Sequence, residues 1–440
     1  MQRSLLLWQR LRASFWFVPT VVVVCSMAAA VGLVEFDGTS GADLAAWAPR
    51  LFGAGVEGSR AMLSAIATSM VTVAGVVFSI TIVALSLTST QYSPRVLRNF
   101  MRDRPTQLVL GVFLGIFVYC LVVLRTLRGS GEPLFVPSLA VLGGMVYALA
   151  GVRLLIFFIH HVSQGIQAAS IIRRISADTA AAIDHLYPQD ERELTAATEP
   201  VAEPAGNWVP VLAKKSGYVT SVDAKGLVAI ARESDRVFRL AHCVGDFVAE
   251  GSILLEASGH GAIAQALEGR LLGTVLLQSQ RTVEQDAAFG LQQLVDVALK
   301  ALSPSVNDPT TACMAIDRIG ALLGRLAGKQ MPEPHRLQGG RLYAILPAPG
   351  FADILLSVLL PILEHGRADS QVLWRLVAVI STLSERTRVA DRRGALRVFT
   401  GELRREVRRL RSTRSRIDLS HALLPLESKL HDGGNETESA

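Results

Sequence analysis

Seven residues along one apolar run could do chemistry at a membrane: Ser64, Thr68, Thr72, Gly75, Ser79, Ser86 and Thr90. At about 100° per residue they fall within an arc of roughly 80° on a helix. Most of the remaining positions of that run are Ala, Val, Ile, Leu, Met and Phe. Hydroxyls in a row can replace part of an ion's hydration shell along a water path. The same small and hydroxyl residues also let two helices approach closely. Directly after the run come Arg95, Arg98, Arg102 and Arg104. Four guanidinium groups at an inner mouth would concentrate anions there. A basic cytoplasmic loop would equally meet anionic lipid headgroups. On sequence alone both readings of the stripe, and both of the arginines, stand.

The elements that must hold these residues follow from the composition. The chain has 440 residues, 50% of them hydrophobic, and a mean hydropathy of +0.36. Its length suggests about three folding units. Four nearly uncharged runs precede His160, at about 15–34, 62–87, 106–124 and 134–159. Each is near or above the roughly 20 residues a helix needs to cross a bilayer. No such run follows His161. The sequence therefore predicts a four-helix transmembrane domain over 1–161 and a large soluble part.

Short flanks set the orientation. Arg3, Arg10 and Arg12 precede the first span and place the N-terminus in the cytoplasm. The next loop, with Glu35, Asp37, Asp43 and Glu57, is outside; Arg95 to Arg104 are inside. An even span count returns the chain to the cytoplasm, so both termini lie there. Ala28-Ala29-Ala30 resembles a signal-peptidase site, but more spans follow, and a retained anchor is the expectation. Cys25, Cys120, Cys243 and Cys313 match no metal spacing and are read as reduced thiols.

Residues 162–207 read as an amphipathic connecting helix, with Ile166, Ile171, Ile172, Ile175 and Ile183 on one face, and a proline-rich linker. Residues 208–260 show short alternating runs at Val209–Val211, Tyr218–Val219, Leu227–Ala231, Val237–Leu240 and Ile253–Leu255. They predict a small β barrel or sandwich. The surroundings of Gly217 and Gly245 resemble strand-turn signatures of biotinyl and lipoyl domains. Their order and spacing do not match, which argues against a modified lysine at Lys225. From 261 to 415 the pattern is helical, with helices expected at 282–302, after Asn307-Asp308-Pro309, at 351–365, 370–387 and 394–411. Asn307 or Asp308 caps the second of these and Pro309 sits in its first turn. A polar tail over 416–440 completes the α+β cytoplasmic part.

Two stretches then suggest a relationship. Ser86-Leu87-Thr88-Ser89-Thr90-Gln91-Tyr92-Ser93-Pro94-Arg95-Val96-Leu97-Arg98-Asn99-Phe100 resembles the signature of domain-of-unknown-function family 2254. Ala301 to Ala312, with Ser303-Pro304 and Asn307-Asp308-Pro309, is similar to a second stretch of that family, and Asp286 to Leu299 fits as well. These are predicted bacterial membrane proteins. The resemblance implies an inner-membrane location and brings no activity, catalytic residue or ligand.

No HExxH, GxSxG, Walker A or helix-opening GxGxxG occurs, so the expectation is a protein that is not an enzyme. His160-His161 at a span end and His242-Cys243 do not make a metal site by spacing, and no cofactor is expected. Asn307-Asp308 reads as a structural turn rather than a cation or phosphate site. Expected partners are membrane lipids, further copies of the chain in a homo-oligomer and inorganic ions. Nucleic acid is not expected, since the arginines after 394 have only Phe399 as a nearby aromatic and bases would need more stacking partners. The function expected is an ion channel or pore lined by the second span, or alternatively a membrane-anchored scaffold or sensor. A carrier is disfavoured because no two spans repeat or break at mid-depth.

Overall fold

A computed structural model describes residues 16–47, 55–91, 103–128, 136–165, 167–187, 203–204, 206–387 and 389–432. For 38–47, 88–91 and 431–432 it describes the backbone alone. The chain forms two compact units, residues 1–170 and 171–440.

The first unit holds four long helices: α1 (Phe17–Trp47), α2 (Val56–Gln91), α3 (Arg104–Thr126) and α4 (Ser138–Gly165). Each is long and apolar enough to cross a membrane, over Phe17–Asp37, Val56–Leu87, Arg104–Thr126 and Ser138–Gly165. The four apolar helices expected from the sequence are present, longer than the uncharged runs suggested. α3 is the central helix and packs on α1, α2 and α4. Phe113, Ile116, Val123, Leu63 and Phe158 fill the core. In a bilayer the lipid is as apolar as these side chains, so tight packing and polar ties must hold the helices together.

Both are present. A Cβ on Gly115 would lie 2.4 Å from Ser26 Oγ, and one on Gly111 would lie 2.9 Å from Pro19 Cα. Glycine at these two positions lets α1 lie against α3. The Ser26 and Tyr147 hydroxyls are 2.8 Å apart, and Tyr119 donates to the Ala140 carbonyl at 2.7 Å. Asp37 was expected in an outer loop. It lies instead inside α1, only 7% exposed. One of its carboxylate oxygens accepts from the amides of Leu139 at 2.8 Å and Ala140 at 3.1 Å. The first amides of α4 have no partner within their own helix, and Asp37 supplies one.

The second unit begins in α5 (Ala168–Leu186), whose Ile171, Ile172, Ile175 and Ile183 are buried as the periodicity required. Next come β1 (Trp208–Leu212), β2 (Gly217–Val222), α6 (Ala224–Ser234), β3 (Phe238–Leu240), β4 (Phe247–Val248), β5 (Ile253–Ser258), α7 (Gln265–Thr274) and β6 (Val275–Gln278). After these follow α8 (Ala287–Ala301), α9 (Pro309–Leu326), β7 (His335–Gln338), β8 (Arg341–Ile345), α10 (Phe351–Gly366), α11 (Ser370–Arg386), α12 (Ala390–Arg408) and α13 (Thr413–Asp432).

No barrel closes among the described residues. The strands form a five-stranded sheet, β1-β5-β3-β8-β7, and a three-stranded sheet, β4-β2-β6. All pairings are antiparallel except β3 with β8, which is parallel. Strands β6 to β8 come from a stretch whose pattern reads helical. The run Leu227–Ala231 is not a strand. Asp223 caps it by accepting from the Gly226 amide at 2.9 Å, Asp235 closes it in the left-handed conformation, and Leu227, Ile230 and Ala231 share the buried face of α6. Lys225 therefore sits exposed in a first helical turn, not at a hairpin tip.

The expected helices appear as α8 to α12. Residues 413–432, assigned to the tail in part, form α13. Leu419, Leu423, Leu426 and Leu430 are buried on one side of it, and the helix packs on α11 and α12.

Candidate functional site

α2 has two unlike faces. Leu63, Ala67, Met70, Ala74, Val77, Thr81 and Ala84 are buried. Their spacing alternates four and three residues, a seam that packs α2 against the neighbouring helices of its own unit. Ser64, Thr68, Thr72, Gly75, Ser79 and Ser86 are all exposed. The centres of the two sets are about 150° apart at 100° per residue. A Cβ on Gly75 would meet nothing within 4 Å, in contrast to Gly111 and Gly115. Thr90 lies in α2, and only its backbone is described. From Ser64 to Ser79 the polar stripe is thus unbroken and exposed among the described residues.

Thr72 Oγ1 donates to the Thr68 carbonyl at 2.9 Å. With its proton spent on the backbone, that hydroxyl offers lone pairs outward. Ile82 lies in the same arc, 49% exposed, and is the bulky apolar side chain that interrupts it. The sequence reading passed over Ile82, although its position in the arc follows from the spacing alone.

Arg95, Arg98 and Arg102 lie outside the described residues. Arg104 opens α3 and is exposed. Beside it, Asp103 caps α3, accepting from the Thr106 amide at 3.3 Å and the Thr106 hydroxyl at 2.7 Å. His161 Nε2 lies 2.8 Å from the same carboxylate oxygen, so the end of α4 is tied to the start of α3. His160 turns elsewhere, to Gln164 at 3.0 Å. The two adjacent imidazoles have different partners and do not converge. Among the described residues no three His, Cys, Asp or Glu side chains gather as a metal site would require.

The Asn307-Asp308-Pro309 turn joins α8 to α9. Asn307 adopts a positive φ of 47°, which Asn tolerates better than most residues. Asp308 caps α9, accepting from the Thr311 amide at 3.0 Å, and Pro309 occupies the first turn. The hydrogen bonds from Thr311 hold the Asp308 carboxyl below its ordinary range. All of this geometry serves the helix start.

A buried polar cluster had no strong signal in the sequence. Asp286 caps α8 through the Phe289 amide at 3.0 Å and pairs with Arg281 at 2.7 Å. Burial pushes its carboxyl up, against the pull of Arg281. Tyr187 is buried nearby, its phenol pushed up to about 12 first by burial and then by Asp286. The visible signal was Arg281 and Asp286 bracketing the start of a helical pattern. The cluster ties loops to α8 and presents no nucleophile activated for attack.

Comparison with known proteins identifies the lineage. The profile of a family described as predicted membrane protein (DUF2254) matches residues 12–382. The chain belongs to this family. Uncharacterized proteins of Mycobacterium bovis and Mycobacterium tuberculosis are similar to it at 33% identity over 395 residues, covering 88% of this chain and 74% of theirs. No solved structure matches. The family description and the four apolar helices together make this a multi-pass membrane protein.

Proposed function

We propose that this family member is a homo-oligomeric ion channel or pore of the bacterial inner membrane, lined by the polar face of α2. One observation carries the reading. From Ser64 to Ser79 the stripe lies on the outward face of α2, exposed among the described residues of its own unit. Turned to lipid tails, the hydroxyls of Ser64, Thr68 and Ser79 would forgo hydrogen bonds that a bilayer core cannot supply. Other copies of α2, or water held between copies, would supply them. In the pore arrangement Arg104 and the arginines before it stand at the cytoplasmic mouth and bias it toward anions. The unit beginning at Ile171 is then cytoplasmic and regulatory, with no catalysis of its own.

Flux through reconstituted oligomer tests this. Thr72→Leu and Ser79→Leu are expected to block ion flux in proteoliposomes while the oligomer stays assembled. Val73→Leu and Ile80→Leu, roughly 80–120° off the stripe, are expected to be mild. Loss of the oligomer in Thr72→Leu would instead identify the stripe as an interface between copies. Absence of flux from folded wild-type oligomer across voltage, tension and pH would leave the scaffold or sensor as the function.

A further inference from the structure

The last two helices carry a charged surface that the pore reading does not use. α12 and α13 form an antiparallel pair, tied by Arg404 to Glu427 at 2.7 Å and by Arg393 to the Lys429 carbonyl. Residues 390–416 hold ten arginines against three acids, Asp391, Glu402 and Glu406. Arg392 is buried and bonds the Ala327 and Lys329 carbonyls. Arg404, Arg405, Arg409 and Arg414 have carboxylate partners. Arg397, Arg408 and Arg411 are exposed, and among the described residues no carboxylate pairs with them.

Arg397, Arg404 and Arg408 are spaced by seven and four residues, which puts them on one side of α12, and Arg411 follows in the turn that joins α12 to α13. Beside these cations stand exposed aliphatic groups. Val398 on α12 is exposed, as are Ile417 and Leu424 on α13. Ile417 and Leu424 are seven residues apart and so share the face of α13 opposite its buried leucines. Phe399, the aromatic residue of α12, is fully buried, so no ring is available to stack on a base. Uncompensated arginines flanked by outward aliphatic side chains match a phospholipid surface. Guanidinium groups take phosphates, and the apolar side chains enter the headgroup boundary. The tether to a membrane-spanning unit of the same chain raises the effective concentration of lipid for this surface.

We infer that the outward face of the α12–α13 pair docks on anionic phospholipid. This rests on the multi-pass reading and is independent of whether α2 lines a pore. Each arginine near an anionic surface is worth about 1 kcal/mol, so losing three weakens docking about a hundredfold.

The test uses the full chain in nanodiscs of phosphatidylcholine alone or mixed with phosphatidylglycerol. Phenylglyoxal modification of each arginine is followed by mass spectrometry. Slower modification of Arg397, Arg408 and Arg411 is expected in the anionic discs, by about fivefold or more, with the difference lost at high salt. Arg270, paired with Glu233, serves as the control and should be unchanged. In the triple variant Arg397→Gln, Arg408→Gln, Arg411→Gln, the lipid-dependent protection of Arg414 should vanish. Equal rates in the two kinds of disc overturn the proposal. So does protection that appears in phosphatidylcholine discs only on adding DNA or an acidic peptide. Nanodiscs leave both membrane sides open, so the result does not depend on orientation, and ion flux is not measured.

Discussion

The two faces of α2 are built from similar small residues and do opposite things. On one, Ala67, Ala74 and Ala84 alternate with Leu63, Met70 and Val77, and all are buried within the unit. On the other, Ser64, Thr68, Thr72, Gly75 and Ser79 are exposed. Close approach of helices inside this unit is instead the work of glycines on α3, where Gly115 meets Ser26 and Gly111 meets Pro19. Small residues in a membrane helix therefore have no fixed meaning. Their role depends on which side of the helix already has a neighbour.

The comparison is broken most forcefully by adding bulk to each side. Gly115→Leu must push a side chain into Ser26 and Tyr147, whose atoms lie 2.4 and 2.9 Å from an added Cβ. A cost of about 3 kcal/mol is expected, measured by denaturation in mixed micelles followed by circular dichroism. Gly75→Leu, with open space around it, should leave that monomer unfolding curve nearly unchanged. Equal losses from the two would mean that the stripe also packs within the chain.

Helix caps extend the contrast from the first unit to the second. Asp37 caps α4 from inside the bundle, and Asp308 caps α9 at an exposed turn. Asp37→Ala leaves the buried Ala140 amide and the half-buried Leu139 amide without an acceptor, at a cost of about 2 kcal/mol. Asp308→Ala should cost about 1 kcal/mol, because water can replace the lost acceptor. Asp308 also adds a pH dependence whose sign is fixed. Its folded-state pKa lies below the ordinary 3.8. Its contribution is therefore present above about pH 4 and is lost as pH falls through the lowered value. Asp308→Asn keeps an acceptor and should remove that part of the acid sensitivity. Acid titration of the unfolding midpoint for wild type and the two variants checks both points.

Legibility in the sequence followed the length scale of each signal. The four apolar helices were readable from the length of their nearly uncharged runs, and the helices α8 to α11 because their periodicity runs over three or more turns. Asp308 was readable as a cap because a cap is chemistry between near neighbours. α6 was misread as a strand because Leu227 to Ala231 is too short to separate a period of two from 3.6. Its caps, Asp223 and Asp235, were the better signal. β8 was hidden because its pairing with β3 spans about a hundred residues, which no local pattern encodes, and β7 pairs, among the described residues, only with β8. α13 was passed over although Leu419, Leu423, Leu426 and Leu430 repeat every three or four residues; the charged and polar residues between them dominated the reading. Asp37 looked like a loop acid because its partners, the Leu139 and Ala140 amides, lie a hundred positions away. The small and hydroxyl residues of the stripe were legible from their spacing, and so was Ile82 among them. What the sequence lacked was the identity of the opposite face, since an arc has no inside until the neighbouring helices are in place.

The smallest effect expected is also the most discriminating. Replacing Ser64, Thr68 and Ser79 together by alanine removes three hydroxyls and adds no bulk. None of the three is buried, so the stability of the isolated unit should change by less than about 0.5 kcal/mol per site. Alanine even favours the helix slightly. Any larger change must then come from outside the chain. If copies meet along the stripe through hydrogen bonds, the triple variant should dissociate at a lower detergent-to-protein ratio, with unchanged monomer unfolding. If the stripe is wetted by a pore, the oligomer should persist and conductance should fall, because an alanine-lined path offers an ion no oxygen in place of its water. Mass photometry of the solubilised protein and flux from the same preparation separate the two outcomes. A triple variant that unfolds as a monomer would overturn the assignment of the stripe to the outward face, on which the difference between the two sides of α2 depends.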